Sequence, residues 1–341
     1  MPGVPPPPPS GPPRDASAVI LYRTAPGRTE PAHLVTEVFW LKRDKGLRFA
    51  GGYSAFPGGK VDDGDGGSLV MTAARELFEE TGVLVTRGAA PQAQLDEARR
   101  ELLAERLTFA HVLTTLGVTI DEAAFKPAGR WVTPDVMPIR FDARFFLVEA
   151  PASQKAEVWP GELSEGAWVT PAAALAKWSD GTVLLHPPNL YALQVMNGFV
   201  SEAQVLRALQ SPPELKDFVA PCMEFQRGIR TVPMPTATLP PATHTNTYLL
   251  GTGGEHLLVD PGSSDEASLV RLIALLRGLN VKAIVLTHHH GDHIGGVEPL
   301  IEALKLPIWA HALTAQRIPW PVARTLDEGE VVTLAGGSMR T

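Results

Sequence analysis

The run Arg75-Glu76-Leu77-Phe78-Glu79-Glu80-Thr81-Gly82-Val83 constrains this chain more than any other stretch. On an α-helix, Glu76, Glu79 and Glu80 stand at i, i+3 and i+4 and share one face, where like charges destabilise a bare helix. A divalent cation removes that cost. Clustered carboxylate oxygens suit hard ions such as Mg²⁺ or Mn²⁺, which keep several waters and bind substrate phosphates. The residues therefore point to a metal-dependent enzyme acting on a phosphate compound. The bland alternative is a solvated, salt-bridged acidic face. Against it stands the tight turn Pro57-Gly58-Gly59, set just upstream.

The chain has 341 residues, 44% of them hydrophobic, enough for about two domains with real cores. A formal charge of −7 supplies no global basic field for nucleic acid. Cys222 is the single cysteine, so no internal disulfide framework exists. No apolar run reaches the roughly 18 residues of a membrane span. The N-terminus lacks the charged-then-apolar order of a secretory signal, and a cytoplasmic location is the default expectation.

Residues 1–15 form a proline-rich tail, expected to be extended, and folding is expected to begin near Ala16. Ala18–Tyr22, Val35–Leu41 and Phe141–Val148 read as strands. The carboxylate helix is expected over about Ser68–Glu80, stopping at Gly82 in the usual C-cap place. Residues 92–116 read as helical, with Leu95, Leu102, Leu103 and Leu107 on the buried face. Further helices are expected over Pro171–Trp178, Asn189–Gly198 and Ser201–Leu209. Residues 211–227 read as a linker between a first domain, 16–210, and a second, 228–341. The second opens with short strands, a helix over 265–279 and an apolar strand, Ala283–Leu286, that runs straight into Thr287-His288-His289-His290-Gly291-Asp292-His293. Strand, helix and strand in this order suggest a second α/β unit.

Residues 59–83 resemble the Nudix box: glycine, five residues, glutamate, seven residues, then Arg-Glu-apolar-x-Glu-Glu-x-Gly-apolar. Arg75 to Val83 match every fixed position of the second half. Gly59 matches the first, but Asp65 stands where glutamate is expected, and nine residues rather than seven separate it from Arg75. The excess around Gly66-Gly67-Ser68 is expected to bulge the loop and leave the helix intact. The resemblance implies an α/β/α sandwich with a mixed sheet, and cleavage of a diphosphate linked to another group. It implies metal ligation by Glu79, Glu80 and the Gly59 carbonyl, Glu76 as ligand or base, and Arg75 holding a glutamate in place. Glu162 and Glu165 are candidates for a last acidic ligand from a later loop. Arg43, Arg48, Gly52 and Phe56-Pro57-Gly58-Gly59 resemble the motif of coenzyme A-type Nudix hydrolases. That implies that Arg43 and Arg48, beside Gly58 and Gly59, grip the additional phosphate of coenzyme A or an acyl-coenzyme A. Phe39-Trp40-Leu41 and Asp44 depart from that motif.

His288-x-His290-x-Asp292-His293, placed after an apolar strand, resembles the metal motif of the metallo-β-lactamase superfamily. Imidazoles and a carboxylate on one turn suit Zn²⁺ or similar ions. The resemblance implies that His288 and His290 bind one metal and Asp292 and His293 a second, with Asp260 supporting them from behind. His289 reads as a spacer and His311 as structural. Pro240 to Tyr248 resembles the start of the glyoxalase II-like and RNA-processing branches. The later histidines and the bridging aspartate of that family do not follow before Thr341. The expectation is therefore the N-terminal half of an αββα fold, a fragment of a longer protein that either binds one metal weakly or exposes a sheet edge and apolar surface.

The leading expectation is thus a Nudix pyrophosphohydrolase, using Mg²⁺ or Mn²⁺ on a small nucleoside diphosphate derivative, joined to an incomplete metallo-β-lactamase-like domain able to take Zn²⁺. Two alternatives stand beside it. In one, the main activity is a thioester, phosphodiester or RNA hydrolase in a complete second domain, with the first as nucleotide sensor. In the other, the Nudix fold is a non-enzymatic binding module. Nucleic acid as a partner is left open only for a complete second domain.

Overall fold

A computed structural model describes residues 11–24, 36–44, 51–134, 137, 139–159, 163–198, 201–211, 222–239 and 242–341. The calls on most of the proline-rich tail, Arg48, Glu162 and most of the linker lie outside these residues. The chain divides into two compact units, one spanning Ser10–Pro212 and the other containing Pro213–Thr341.

The first unit is built on an eight-stranded mixed sheet. Its central strand, Arg14–Thr24, runs antiparallel to Thr36–Arg43 and parallel to Phe141–Glu149. That strand starts two residues before the expected Ala16. Alternate side chains feed two cores, as the period of a strand requires. Val19, Leu21, Phe39, Leu41, Phe146 and Val148 face the Leu69–Thr81 helix. Ile20, Tyr22, Val38, Trp40, Phe145 and Leu147 face the helices Pro171–Ser179, Pro187–Met196 and Glu202–Leu209. Buried aliphatic runs on both faces explain why these strands read as continuous hydrophobic stretches.

The stretch 92–116 is not one helix but two, Gln92–Leu103 and Phe109–Leu116. Glu105 takes a left-handed φ of 56°, which ends the first. Thr108 restarts the second by accepting the His111 N–H on its side chain.

In the second unit a seven-stranded sheet begins with Met223–Gln226, inside the segment expected to be linker. Met223–Gln226 pairs antiparallel with Ile229–Pro235, a hairpin whose short polar loop at Arg227-Gly228 gave little signal. From Glu255–Val259 onward the strands are parallel, through Asn280–Leu286, Ile308–Ala310 and Val322–Thr325. Leu258, Ile284 and Leu286 pack against Leu269 and Leu272 of the Glu266–Arg277 helix and Leu300 of the Val297–Leu304 helix. Exposed apolar surface was one of two expectations for this unit. Instead Leu257, Val259, Ala283 and Val285 pack against Leu326, Val332 and Leu334, the last two from the hairpin Val331–Leu334/Gly337–Arg340. Both sheets make the molecule α/β in class. Among the described residues no helix is long and apolar enough to cross a membrane.

Candidate active site

The Leu69–Thr81 helix is well determined at both ends. Ser68 accepts the Met71 N–H at its start, and Gly82, at φ 75°, closes it with an N–H to the Phe78 carbonyl. Leu77 and Phe78 anchor its inner face in the core. That leaves Glu76 and Glu80 directed at the Gly58–Lys60 strand, with Glu79 beside them on Arg75.

Two glycines make this approach feasible. A Cβ on Gly58 would come 2.3 Å from the Ser17 carbonyl oxygen, and one on Gly59 would come 2.2 Å from Glu76 Oε1. Gly58 N–H donates to Glu80 Oε2 at 2.9 Å. Glu76 and Glu80 thus both reach the glycine turn. Burial, and then repulsion by Glu76, pushes Glu80 up to about 8. Burial pushes Glu76 up to about 7 against the pull of Arg75, and it raises Glu79 as well. Negative charge here is thus under-compensated by the protein's own cations. The donor set is all oxygen, and Mg²⁺ or Mn²⁺ fits it.

Arg75, only 8% exposed, is the hub beneath these groups. Its Nε and Nη2 grip the two Asp65 oxygens at 2.9 and 3.0 Å, and Nη2 also donates to the Lys60 carbonyl at 3.0 Å. Its Nη1 donates to Glu76 at 2.9 Å and to Glu79 at 3.2 Å. Asp65, 4% exposed, also accepts from Thr72 Oγ1 and the Asp62 N–H. Burial alone would raise Asp65, but these hydrogen bonds, led by Arg75, hold it below the usual carboxylate range. Asp65 is therefore spent on Arg75. The two extra residues are absorbed by Gly66 and Gly67, both left-handed at φ 60° and 74°, so the shorter acid still arrives.

Arg43 ends the Thr36–Arg43 strand, accepts the Gly52 N–H on its carbonyl at 3.0 Å and lies within electrostatic reach of Glu80. Among the described residues it forms no ion pair, and its Nε is buried without a hydrogen-bond partner. Tyr53 stacks on His186 with ring centroids 4.4 Å apart. Burial, helped by Arg43, pushes His186 down to about 4, so the ring is neutral at ordinary pH. Sequence reasoning missed Tyr53 and His186, because a tyrosine in a three-residue strand and a histidine before two prolines carry no motif. Glu165 does not join the helix carboxylates: it is exposed and pairs with Lys42 at 3.4 Å, on the Trp40 face of the strand.

In the second unit, the histidine run follows the carboxyl ends of parallel strands, a usual place for ligands in α/β sheets. Asp260, with an unusual φ of 48°, accepts from Thr287 N–H at 2.9 Å and Thr287 Oγ1 at 2.5 Å. Its Oδ2 also lies 2.9 Å from His293 Nδ1. This fixes the His293 ring and leaves its Nε2 turned toward the loop, 3.8 Å from Asp292. The His288 ring lies 4.7 Å from that of His290 and 4.1 Å from that of His293. Asp260, His288 and His293 each offer a ligand atom within 4.8 Å of the others. The imidazole-rich set suits Zn²⁺. His289 only neighbours His290, and His311 accepts the Leu313 N–H at the start of a short helix.

Comparison with known proteins matches two stretches of the chain to two families. Residues 67–196 match the NUDT19 Nudix domain, and residues 240–332 match the metallo-beta-lactamase superfamily. The chain joins a Nudix domain to a metallo-β-lactamase-superfamily domain. A Caenorhabditis elegans protein named nudix hydrolase 7 is 30% identical over 159 residues, which is 46% of this chain and 54% of that protein. The atrochrysone carboxyl ACP thioesterase dmxR1 of Cryptosporiopsis is 34% identical over 101 residues, 28% of this chain and 30% of that protein. The chain thus spans about half of the first relative and under a third of the second. A Nudix hydrolase structure from Alicyclobacillus acidocaldarius, 24% identical, covers 59% of this chain and 98% of its own, with a TM-score of 0.52. That likeness carries the Nudix fold.

Proposed function

We propose that the Nudix domain hydrolyses a diphosphate that joins a nucleoside to another group, with Mg²⁺ or Mn²⁺ held by Glu76, Glu79, Glu80 and the Gly59 carbonyl. The observation that carries this reading is the approach of two buried carboxylates, Glu76 and Glu80, to the Gly58-Gly59 turn, with Glu79 tied to Glu76 through Arg75. The cation, when bound, neutralises charge on the phosphate oxygens and lowers the pKa of water. The protein's own groups do the rest. Arg75 holds Glu76 and Glu79 in register from below and does not itself meet substrate. Gly58 and Gly59 let a phosphate approach the backbone. Glu76, pushed up to about 7 by burial, is suited to take a proton near neutral pH.

Arg43 supports a finer reading. A cation with a buried, unsatisfied Nε beside Glu80 is matched by a further phosphate on the substrate, as in coenzyme A. We assign it, with Arg48, to that group. The metallo-β-lactamase-like domain is read as a Zn²⁺ site of His288, His290, Asp292 and His293, and its thioesterase-named relatives suggest thioesters as its substrate class.

A panel of coenzyme A, ADP-ribose, NADH and nucleoside triphosphates, assayed with Mg²⁺ or Mn²⁺, tests the reading. Turnover of at least one diphosphate is expected, and Glu79→Gln should abolish it with an unchanged circular dichroism spectrum. Undiminished turnover in that variant contradicts the ligand assignment. Arg43→Ala should raise KM for coenzyme A and leave KM for ADP-ribose unchanged; equal shifts would remove the coenzyme A assignment.

A further inference from the structure

The last turn of the carboxylate helix is held by a residue that no motif marks. Carbonyls at a helix C-terminus lack intrahelical partners and need donors from elsewhere. Here Phe78 O accepts from Gly82 N–H, and Thr81 O accepts from Glu157 N–H at 2.8 Å. The carbonyl of Glu79, itself a carboxylate-bearing residue, accepts from Arg99 Nε at 3.1 Å and Arg99 Nη2 at 2.9 Å. The third arm, Nη1, donates to the Glu157 carbonyl at 2.9 Å. The guanidinium lies 4.3 Å from the Trp159 ring centroid, and Arg99 is only 2% exposed. Gly82 makes room for it: a Cβ there would stand 3.0 Å from Arg99 Nη1. Gln154 closes the same loop through hydrogen bonds to both Leu84 N and Leu84 O at 2.8 Å.

Two features of this arrangement exceed what stability alone requires. A buried charge is expensive unless something rewards it, and among the described residues Arg99 forms no ion pair. Its hydrogen bonds all go to carbonyls. Glu80 is one of the three acids within electrostatic reach of it, after Asp96 and Glu157. A cation at the C-terminal end of a helix also opposes the negative end of its dipole. Three acids crowd that same end.

We propose that Arg99 is a positioning residue for the metal centre. It pins the Glu79–Glu80 turn to the 154–159 loop, so that the carboxylates on that turn keep their place for a divalent cation. The inference rests on the reading of Glu76, Glu79 and Glu80 as the cation-holding turn. Arg75 works from the Asp65 side of the helix, Arg99 from its C-terminal end.

The test is Mn²⁺ binding to the cation-free full chain by isothermal titration, in a background carrying His288→Ala and His293→Ala to silence the second domain. Arg99→Met is expected to weaken Mn²⁺ binding by about tenfold or more, the range found for groups that orient ligands. Arg99→Lys, which can reach one of the two carbonyls but not both, should recover part of that loss. Leu95→Ala is the control: it opens a cavity in the same helix and should lower the melting temperature with Mn²⁺ affinity unchanged. Should Arg99→Met fail to fold, Arg99→Lys alone decides, with weakening of several-fold expected. Affinity within twofold of the parent for Arg99→Met, or for Arg99→Lys where only that variant folds, overturns the proposal and leaves Arg99 a plain structural cation. Absence of Mn²⁺ binding by the parent itself would sink the metal reading first, and this inference with it.

Discussion

The carboxylate turn and the histidine loop solve the same problem with different amounts of chain. In the Nudix domain, the three acids sit on one turn and a half of a helix, and their supports come from within reach of it: Asp65 through Arg75, the Gly58-Gly59 turn, and Arg99. In the metallo-β-lactamase-like domain, one buried aspartate, Asp260, orients both Thr287 and His293, and the remaining histidines stand on a loop at one end of a sheet. A helix fixes side-chain spacing by itself, whereas a loop must borrow its geometry from whatever packs around it. The contrast teaches that a site written on one helix needs little further sequence, while a site written on a loop needs a strand on one side and further residues on the other.

That difference can be broken or sharpened by substitution. Asp65→Ala removes the grip on a buried guanidinium and should cost the first unit about 3 kcal/mol, the lower end for an orphaned buried ion, because Glu76 and Glu79 remain. Its thermal transition measures this, and a loss under about 1 kcal/mol would mean Arg75 is held chiefly by the helix acids. Asp260→Ala in the second unit should instead show in Zn²⁺ affinity, weakened about 10–100-fold as the His293 ring is released. Diphosphate turnover by the first unit should not change. Equal damage to both functions would refute the separation.

A smaller effect follows from charge. Glu76 and Glu80, at about 7 and about 8, lie above the ordinary carboxylate value of 4.5. The folded, cation-free chain then binds more protons than the unfolded chain between those limits, so its stability falls as pH rises from about 4.5 to about 8. Added Mn²⁺ takes the place of those protons. The rise in melting temperature on adding Mn²⁺ should be larger at about pH 8 than at about pH 6, and a reversed order would contradict the assignment. The smallest effect is Gly66→Ala. Its φ of 60° has open space around it, so strain alone should cost about 1 kcal/mol, with the helix and its acids unmoved.

Much of this was legible beforehand because the relevant physics is local. The Arg75–Gly82 helix, its C-cap and the apolar run Ala18–Tyr22 within the Arg14–Thr24 strand depend on near neighbours in the chain. So does the Asn280–Leu286 strand that delivers His288. The break at Glu105 was missed because a left-handed residue in a polar stretch leaves the apolar spacing of 92–116 intact. The covering hairpin at Val331–Leu334 gave little signal, since its partner Gly337–Arg340 is polar and short. The Arg99 clamp and the Tyr53–His186 stack were invisible for a different reason. Each joins residues far apart in sequence, and an arginine on an amphipathic helix reads as a surface charge until its carbonyl partners are seen.

The central claim is that diphosphate cleavage belongs to the helix carboxylates and to them alone. The most direct measurement compares Mn²⁺-supported turnover in Glu80→Gln with that in the His288→Ala/His293→Ala double variant. The account predicts a loss of more than about a hundredfold in the first, beyond what an outer support would cause, and parent-like turnover in the second. Retained turnover in Glu80→Gln, or its loss in the double variant, would contradict it.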